Sequence, residues 1–279
     1  MPFIAVIGAG PIGGALAQKL ALRSRIAEVR LIDPFGSVAQ GKALDILQSS
    51  PVERFATQVT AAQALHSAAG ARAIAIADSA ATSSEHAGET GLATLRELAG
   101  IERISPIVFA GAAQRDLIGR AVSELHVRRS RVLGSAPGAL ESALRALAGL
   151  AIDGSGAEVQ LRIAGVPPAE IAVGWEEATA FGSPLSSHMA PHVIAAMTQR
   201  IPGLWPPGPY ALASAAARVI EAIADGSRKR FTCFIALESG AARHRVSAMP
   251  VELGPQGIMR VLEPSLTQHE RIRAGLTSD

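Results

Sequence analysis

Residues 3–13 read Phe3-Ile4-Ala5-Val6-Ile7-Gly8-Ala9-Gly10-Pro11-Ile12-Gly13, and Asp33 follows 20 residues after the last of them. Five consecutive apolar residues fit a strand buried on both faces. Pro11–Leu22 then has helical character. The glycines between fit G-x-G-x-x-G in the strand–turn–helix context that gives the motif meaning. Gly8 permits a tight turn, Gly10 a close approach of the backbone to a pyrophosphate, and Gly13 close packing of helix on sheet. Pro11 and Ile12 open the helix, whose free N–H groups and positive dipole end would face that phosphate. Asp33 ends the second strand, Val29–Ile32. A carboxylate there accepts ribose hydroxyls and repels a 2′-phosphate. Gly8, Gly10, Pro11, Ile12, Gly13 and Asp33 are therefore the expected cofactor-binding set, and NAD the expected cofactor.

Outward from this stretch, short apolar runs alternate with helical ones. Ala73–Ala77, Pro106–Ala110 and Val132–Leu133 read as strands, and Gly41–Gln48, Leu92–Leu98 and Leu117–Leu125 as helices. Such alternation predicts a doubly wound parallel sheet. The second half differs. Helices are expected at Leu140–Leu150, Ala211–Ala224 and Ser265–Ala274, and strands at Glu158–Ile163, Ile171–Gly174, Phe231–Leu237 and Ser247–Leu253. Ile201–Pro209 has four prolines in nine residues and reads as a loop. The expected fold is α/β: a Rossmann domain over 1–136, then an α+β substrate-type domain over 137–279.

Composition narrows the function. The chain has 279 residues, 48% hydrophobic and 18% charged, ordinary for a globular protein. Its 26 Lys+Arg against 24 Asp+Glu give a net charge of +2, which points to neither nucleic acid nor a membrane surface as partner, despite a pI of 9.1. One cysteine, Cys233, excludes an intramolecular disulfide and any multi-cysteine metal site. There is no signal-peptide pattern and no run long enough to span a bilayer, so the expectation is a cytoplasmic protein.

The stretches AVIGAGPIGGALAQKLAL and EVRLIDPFGSVAQGKALDIL resemble the lactate/malate dehydrogenase family. The resemblance resumes at RVLGSAPGALESAL (131–144), AFGSPL (180–185) and MPVELGPQGIMRVL (249–262), in the family's order. It implies a Rossmann domain followed by an α+β substrate domain, with NAD-dependent reduction of a 2-keto acid. In that chemistry an imidazole supplies the proton, a carboxylate orients it, and an arginine grips the substrate carboxylate.

The chain departs from the family where that chemistry lies. The catalytic histidine matches Pro167, which has no proton to give. The orienting aspartate matches Glu141, and the substrate arginine matches Leu144. Two loop arginines match Thr82 and Gly88, and an asparagine against the nicotinamide matches Gly111. A desolvated bidentate Arg–carboxylate pair contributes about 2–5 kcal/mol, and a general acid a factor of about 10²–10⁴. Their loss excludes the family's standard mechanism. Asp78 and Ser79 replace a short Ala-Gly turn; a carboxylate so near a pyrophosphate opposes binding unless it turns away or finds a cation.

Other residues were weighed. His86, beside Glu85 in the loop that would close over the pocket, is the candidate replacement acid/base; the plainer reading is a solvated loop residue. Glu141 has Arg145 one turn away, a favourable i,i+4 ion pair. His188 and His192 could form half a metal site, but Pro191 weakens a helix there, and no metal is expected. Arg228-Lys229-Arg230 reads as a solvated loop, with a phosphate patch as the alternative, and Cys233 as inert core. Three functions remain. One is an NAD(H)-binding relative without the dehydrogenase activity. The second is an NAD-dependent oxidoreductase with an altered small-molecule substrate. The third is a structural partner subunit without nucleotide. The apolar residues Ala43, Leu44, Ile46 and Leu47, and the stripe Leu140, Leu144, Leu147 and Leu150, predict a homodimer or higher homo-oligomer.

Overall fold

A computed structural model describes residues 2–23, 25–238, 245–264 and 266–276. Strand β1 (Phe3–Ile7) is fully buried and leads into α1 (Pro11–Leu22). Then come β2 (Glu28–Ile32), α2 (Gly36–Glu53), β3 (Gln58–Ala62), β4 (Ala73–Ile76), α3 (Gly88–Ile101), β5 (Ile107–Phe109), α4 (Arg115–Ser123) and β6 (Val132–Gly134). These strands lie parallel in the order β3-β2-β1-β4-β5-β6. The reversal between β1 and β4 opens a crevice at the carboxyl ends of the strands.

The second half begins with α5 (Ala136–Ala151), β7 (Val159–Gln160), β8 (Ile163–Val166), β9 (Glu170–Val173), β10 (Thr179–Ala180) and β11 (Ser183–Pro184). It continues with α6 (Pro191–Arg200), α7 (Pro209–Asp225), β12 (Arg230–Ala236), β13 (Val246–Gly254), β14 (Gly257–Val261) and α8 (Gln268–Arg273). β12 pairs antiparallel with β6 through Phe234 and Gly134. The sheet therefore continues without a break through β12, β13, β8 and β9. α7 packs on both α1 and α5. The main hydrophobic core accordingly runs across residue 136, from Ile4 and Leu20 to Ile220 and Phe234. A second, smaller core holds Leu140, Leu144, Ile163, Val173 and Met197.

Several elements depart from expectation, among them the strands β3, β10, β11 and β14, where the sequence leads one to expect no strand. β3 is an edge strand with Val59 buried, Gln58 and Thr60 exposed and the small Ala61 and Ala62 half-buried, so its apolar signal is weak. α6 starts at Pro191, the residue read as weakening a helix. At the first helical position proline's fixed φ suits the helix, and its missing N–H would have had no partner in the helix. Within 201–209, Ile201–Leu204 forms one 3-10 turn and Pro209 already opens α7. The last helix is shorter than expected, and Ser265, where it was to begin, lies outside the described residues. Among the described residues, no helix is long and apolar enough to cross a membrane.

Candidate functional site

The glycine loop forms as its sequence implies. Gly8 has φ +99°, and a Cβ there would collide with the backbone of Asp78. Gly13 rests against the Gly8 carbonyl. Lys42, on α2, holds the loop from outside by donating to the Gly10 carbonyl at 3.0 Å. The loop thus brings the first turn of α1 to the crevice between β1 and β4.

The N–H groups of that turn are already engaged. Asp78 leaves the end of β4 and turns its carboxylate into the cradle. Oδ2 accepts from the Ile12 amide at 2.9 Å and Oδ1 from the Gly13 amide at 2.8 Å. Its main-chain carbonyl accepts from Gly10 N. The side chain is so close that a Cβ on Gly10 would stand 2.5 Å from Asp78 Cγ, and Asp78 is only 1% exposed. The sequence left two outcomes for this carboxylate, turning away or meeting a cation. It does neither, and its charge is met by backbone dipoles at a helix N-terminus.

Asp33 is similarly enclosed. It is fully buried; Oδ2 accepts from Ala9 N and Ala80 N, and Oδ1 from Phe35 N, each at 2.9 Å. Glu85 is the third acid of the crevice. Its carboxylate accepts from the amides of Ala112 and Ala113 beyond β5, at 2.9 and 2.7 Å. It also fills the space where any side chain on Gly111 would have to go. Burial, with Asp78 nearby, raises the Glu85 carboxyl above the ordinary carboxylate range.

Residues 78–86 therefore curl over the strand ends. Ser79 N bonds Ser84 O, Ser83 N bonds Ser79 O, and His86 N bonds Ala77 O. Buried Gln114 ties the curl down from α4's side, donating to the carbonyls of Ala77 and His86 while accepting from Gly111 N. His86 is not a freely solvated loop residue. Its Nε2 is buried and has no hydrogen-bond partner among the described residues. Burial holds the imidazole below its usual pKa, against the pull of Asp33 and Asp78, and so favours the neutral form. Thr82 lies exposed at the tip of the curl, its hydroxyl accepting from Ser84, and Gly88, at φ +58°, opens α3.

These positions bear on whether a dinucleotide fits. A pyrophosphate on this loop needs the Ile12 and Gly13 amides. Each amide has one proton, and both are given to Asp78. With Asp78 in this position the cradle does not admit a pyrophosphate: the carboxylate and the ligand are mutually exclusive there.

The residues expected on the second wall lie as follows. Pro167, which the sequence resemblance sets at the proton donor's place, is buried just beyond β8. Leu144, matching the substrate grip, has no exposure and belongs to the second core. Leu140 is enclosed with it, so of the stripe on α5 only Leu147 and Leu150 reach the surface. Glu141 does not pair with Arg145, which donates instead to the carbonyls of Val159 and Ala157. The partners of Glu141 are Arg162, at 2.6 Å, and the buried Thr232 hydroxyl. Burial raises the Glu141 carboxyl above its ordinary value; Arg162 opposes this but is 43% exposed and screened by water. Beside them lies a cavity of about 600 Å³ that brings Arg145, Arg162, Arg218, Arg228, Lys229 and Arg230 together.

The remaining candidates are plain. His188 Nε2 meets the Ser183 hydroxyl at 2.6 Å. The described residues hold no cluster of three or more metal-ligating side chains. Cys233 is buried and its thiol pushed up by desolvation. Sequence reading singled out Asp33, Asp78, Glu85 and Glu141 but not Gln114, whose glutamine in a loop carries no motif.

No protein-family model matches the chain. Malate dehydrogenase of Sulfurimonas denitrificans is 27% identical over 289 residues, covering 96% of this chain and 90% of that protein. Malate dehydrogenase of Dehalococcoides mccartyi is 26% identical over 309 residues, covering 100% and 96%. Among solved structures, malate dehydrogenase from Salinibacter ruber superposes with a TM-score of 0.86 at 22% identity, covering 98% of this chain and 93% of that one. Lactate dehydrogenase of Cryptosporidium parvum, complexed with lactic acid and nicotinamide adenine dinucleotide, gives 0.83 at 17% identity, covering 99% and 94%. Along its whole length the chain is thus similar in sequence to malate dehydrogenases, and it has the α/β fold of the malate and lactate dehydrogenases.

Proposed function

We propose that this chain is an NAD(H)-binding relative of the lactate and malate dehydrogenases that does not reduce 2-keto acids. The observation that carries the reading is the second wall of the site. Pro167, read as the match of the proton donor, is buried, and Leu144, read as the match of the carboxylate grip, is fully enclosed, which supports the reading. The carboxylate that should orient an imidazole is bound to Arg162 instead. The nucleotide is NAD(H) rather than NADP(H), because the negative charge of Asp33 at the end of β2 opposes a 2′-phosphate. The protein serves as a sensor or scaffold, and we assign it a homo-oligomeric state.

The decisive assay follows NADH absorbance with oxaloacetate or pyruvate. No turnover is expected; rates near about 10 s⁻¹, ordinary for enzymes, would overturn the reading. A second reading, an oxidoreductase with an altered substrate, is favoured by the basic cavity beside Glu141. NADH consumption with other anionic carbonyl compounds would establish it. A structural subunit without nucleotide is favoured by the occupied cradle, and whether that cradle can open separates it from the first reading.

A further inference from the structure

We infer that Asp78 is a built-in competitor for the dinucleotide: its carboxylate occupies the pyrophosphate cradle, and the loop 78–86 must swing out before NAD(H) can enter. The inference rests on the nucleotide-binding reading given above.

Three carboxylates lie in succession along the crevice, each on backbone amides of a strand end or helix start. Asp33 sits on Ala9, Phe35 and Ala80, Asp78 on Ile12 and Gly13, and Glu85 on Ala112 and Ala113. A dinucleotide crossing the switch point of such a sheet follows the same line, with a ribose at the end of β2 and its pyrophosphate on the start of α1. Of the three carboxylates, Asp78 is the one that stands where the ligand's pyrophosphate would lie, so the loop copies that anionic contact with its own side chain. Competition is steric as well as electrostatic, because Asp78 fills the space beside Gly10 that the glycine keeps free of a side chain.

What holds the loop shut is local. Ala80 N bonds Asp33, and Gln114 Nε2 bonds the His86 carbonyl. His86 brings no side-chain bond at Nε2, so burying it costs the closed form a polar contact. β4 and β5 end before the loop begins, so opening it breaks no pairing between them. Opening it breaks the backbone bonds Gly10 N–Asp78 O and His86 N–Ala77 O together with the amide contacts of Asp78 and Glu85.

The test compares wild type with Asp78→Gly and Asp78→Asn. Asparagine keeps the shape but not the charge, so one of the two amides loses its acceptor. Two probes are used: inorganic pyrophosphate, read by melting temperature, and NADH, read by fluorescence titration. A charge-assisted contact at a helix N-terminus is replaced by the ligand's own, so the variants should bind NADH roughly ten- to a hundred-fold more tightly than wild type. Pyrophosphate at millimolar concentration should raise the melting temperature of the variants and leave wild type unmoved. Variants that take pyrophosphate but not NADH would uphold the competitor and defeat the nucleotide reading. Wild type binding NADH as tightly as the variants would defeat the competitor and leave the nucleotide reading intact. If neither probe affects any of the proteins, both ideas fall. If neither variant folds, wild type alone decides. Saturating NADH should speed amide exchange across 79–86, and unchanged exchange with NADH bound would overturn the inference.

Discussion

Replacing Glu141 should separate the cost of its charge from the cost of its hydrogen bonds. The carboxylate is buried between Arg162 and the Thr232 hydroxyl. Glu141→Ala leaves Thr232, itself 2% exposed, without its acceptor, a loss of about 1–3 kcal/mol. Arg162 is 43% exposed and returns to water, so losing its partner adds only about 0–1 kcal/mol. Lost packing adds about 1 kcal/mol. The expected total is about 3 kcal/mol, read in urea denaturation or as a fall of roughly 5 °C in melting temperature. Glu141→Gln keeps an acceptor for Thr232 and removes a charge that burial disfavours, so it should cost no more than about 1 kcal/mol. The pH dependence has a definite sign. Because the folded-state pKa is raised, the folded chain takes up this proton before the unfolded chain does. Wild type should therefore gain stability relative to Glu141→Gln as pH falls from above the raised pKa toward 4.5, with no further gain below it. Equal losses for Ala and Gln, or a gain with rising pH, would refute the reasoning and make the ion pair with Arg162 the dominant contact.

Two further outcomes follow from the same elements. Leu144→Arg, which supplies the arginine that the sequence resemblance leads one to expect there, should not confer chemistry. It places a charge in a closed apolar core at a cost above about 4 kcal/mol, so loss of the cooperative melting transition is expected, and a folded variant would show that the pocket still exists. Light scattering at micromolar concentration should give a dimer or larger species; Val38, Leu44 and Tyr210 are exposed apolar side chains that such contacts would cover, and a clean 28.7 kDa particle would exclude it.

What the sequence made legible was local or periodic. The strand–loop–helix from Phe3 to Leu22 formed with the boundaries its apolar run, glycines and Pro11 define. The antiparallel pair β12–β13 was legible from two apolar runs. β3 was not, because a half-covered edge strand meets the core with one large apolar side chain, Val59, and two alanines, Ala61 and Ala62. α6 was obscured because proline starts helices as well as breaking them, and position decides which. Within the site, charge was legible but direction was not. Asp78 was recognised as an acid near a phosphate position, yet nothing in a linear chain says that its carboxylate will take that position. Glu141 illustrates the same limit. Its neighbour at i+4 is visible in the sequence, whereas Arg162 and Thr232 arrive from β8's approach and from β12, 21 and 91 residues away.

The pairing of β6 with β12 governs how the protein can move. Enzymes that capture ligand between two lobes close by rotation about a hinge. Here a single beam of hydrogen-bonded strands passes through both lobes, and α7 lies across it against α1. Turning residues 137–279 against 1–136 would shear the Phe234–Gly134 contact and uncover the largest core of the molecule. Such a scaffold has no inexpensive global breathing mode. Any traffic of small molecules must be handled at its rim, by loops that detach while the frame stays still, and the kinetics of entry would then be those of a short segment peeling from a rigid edge.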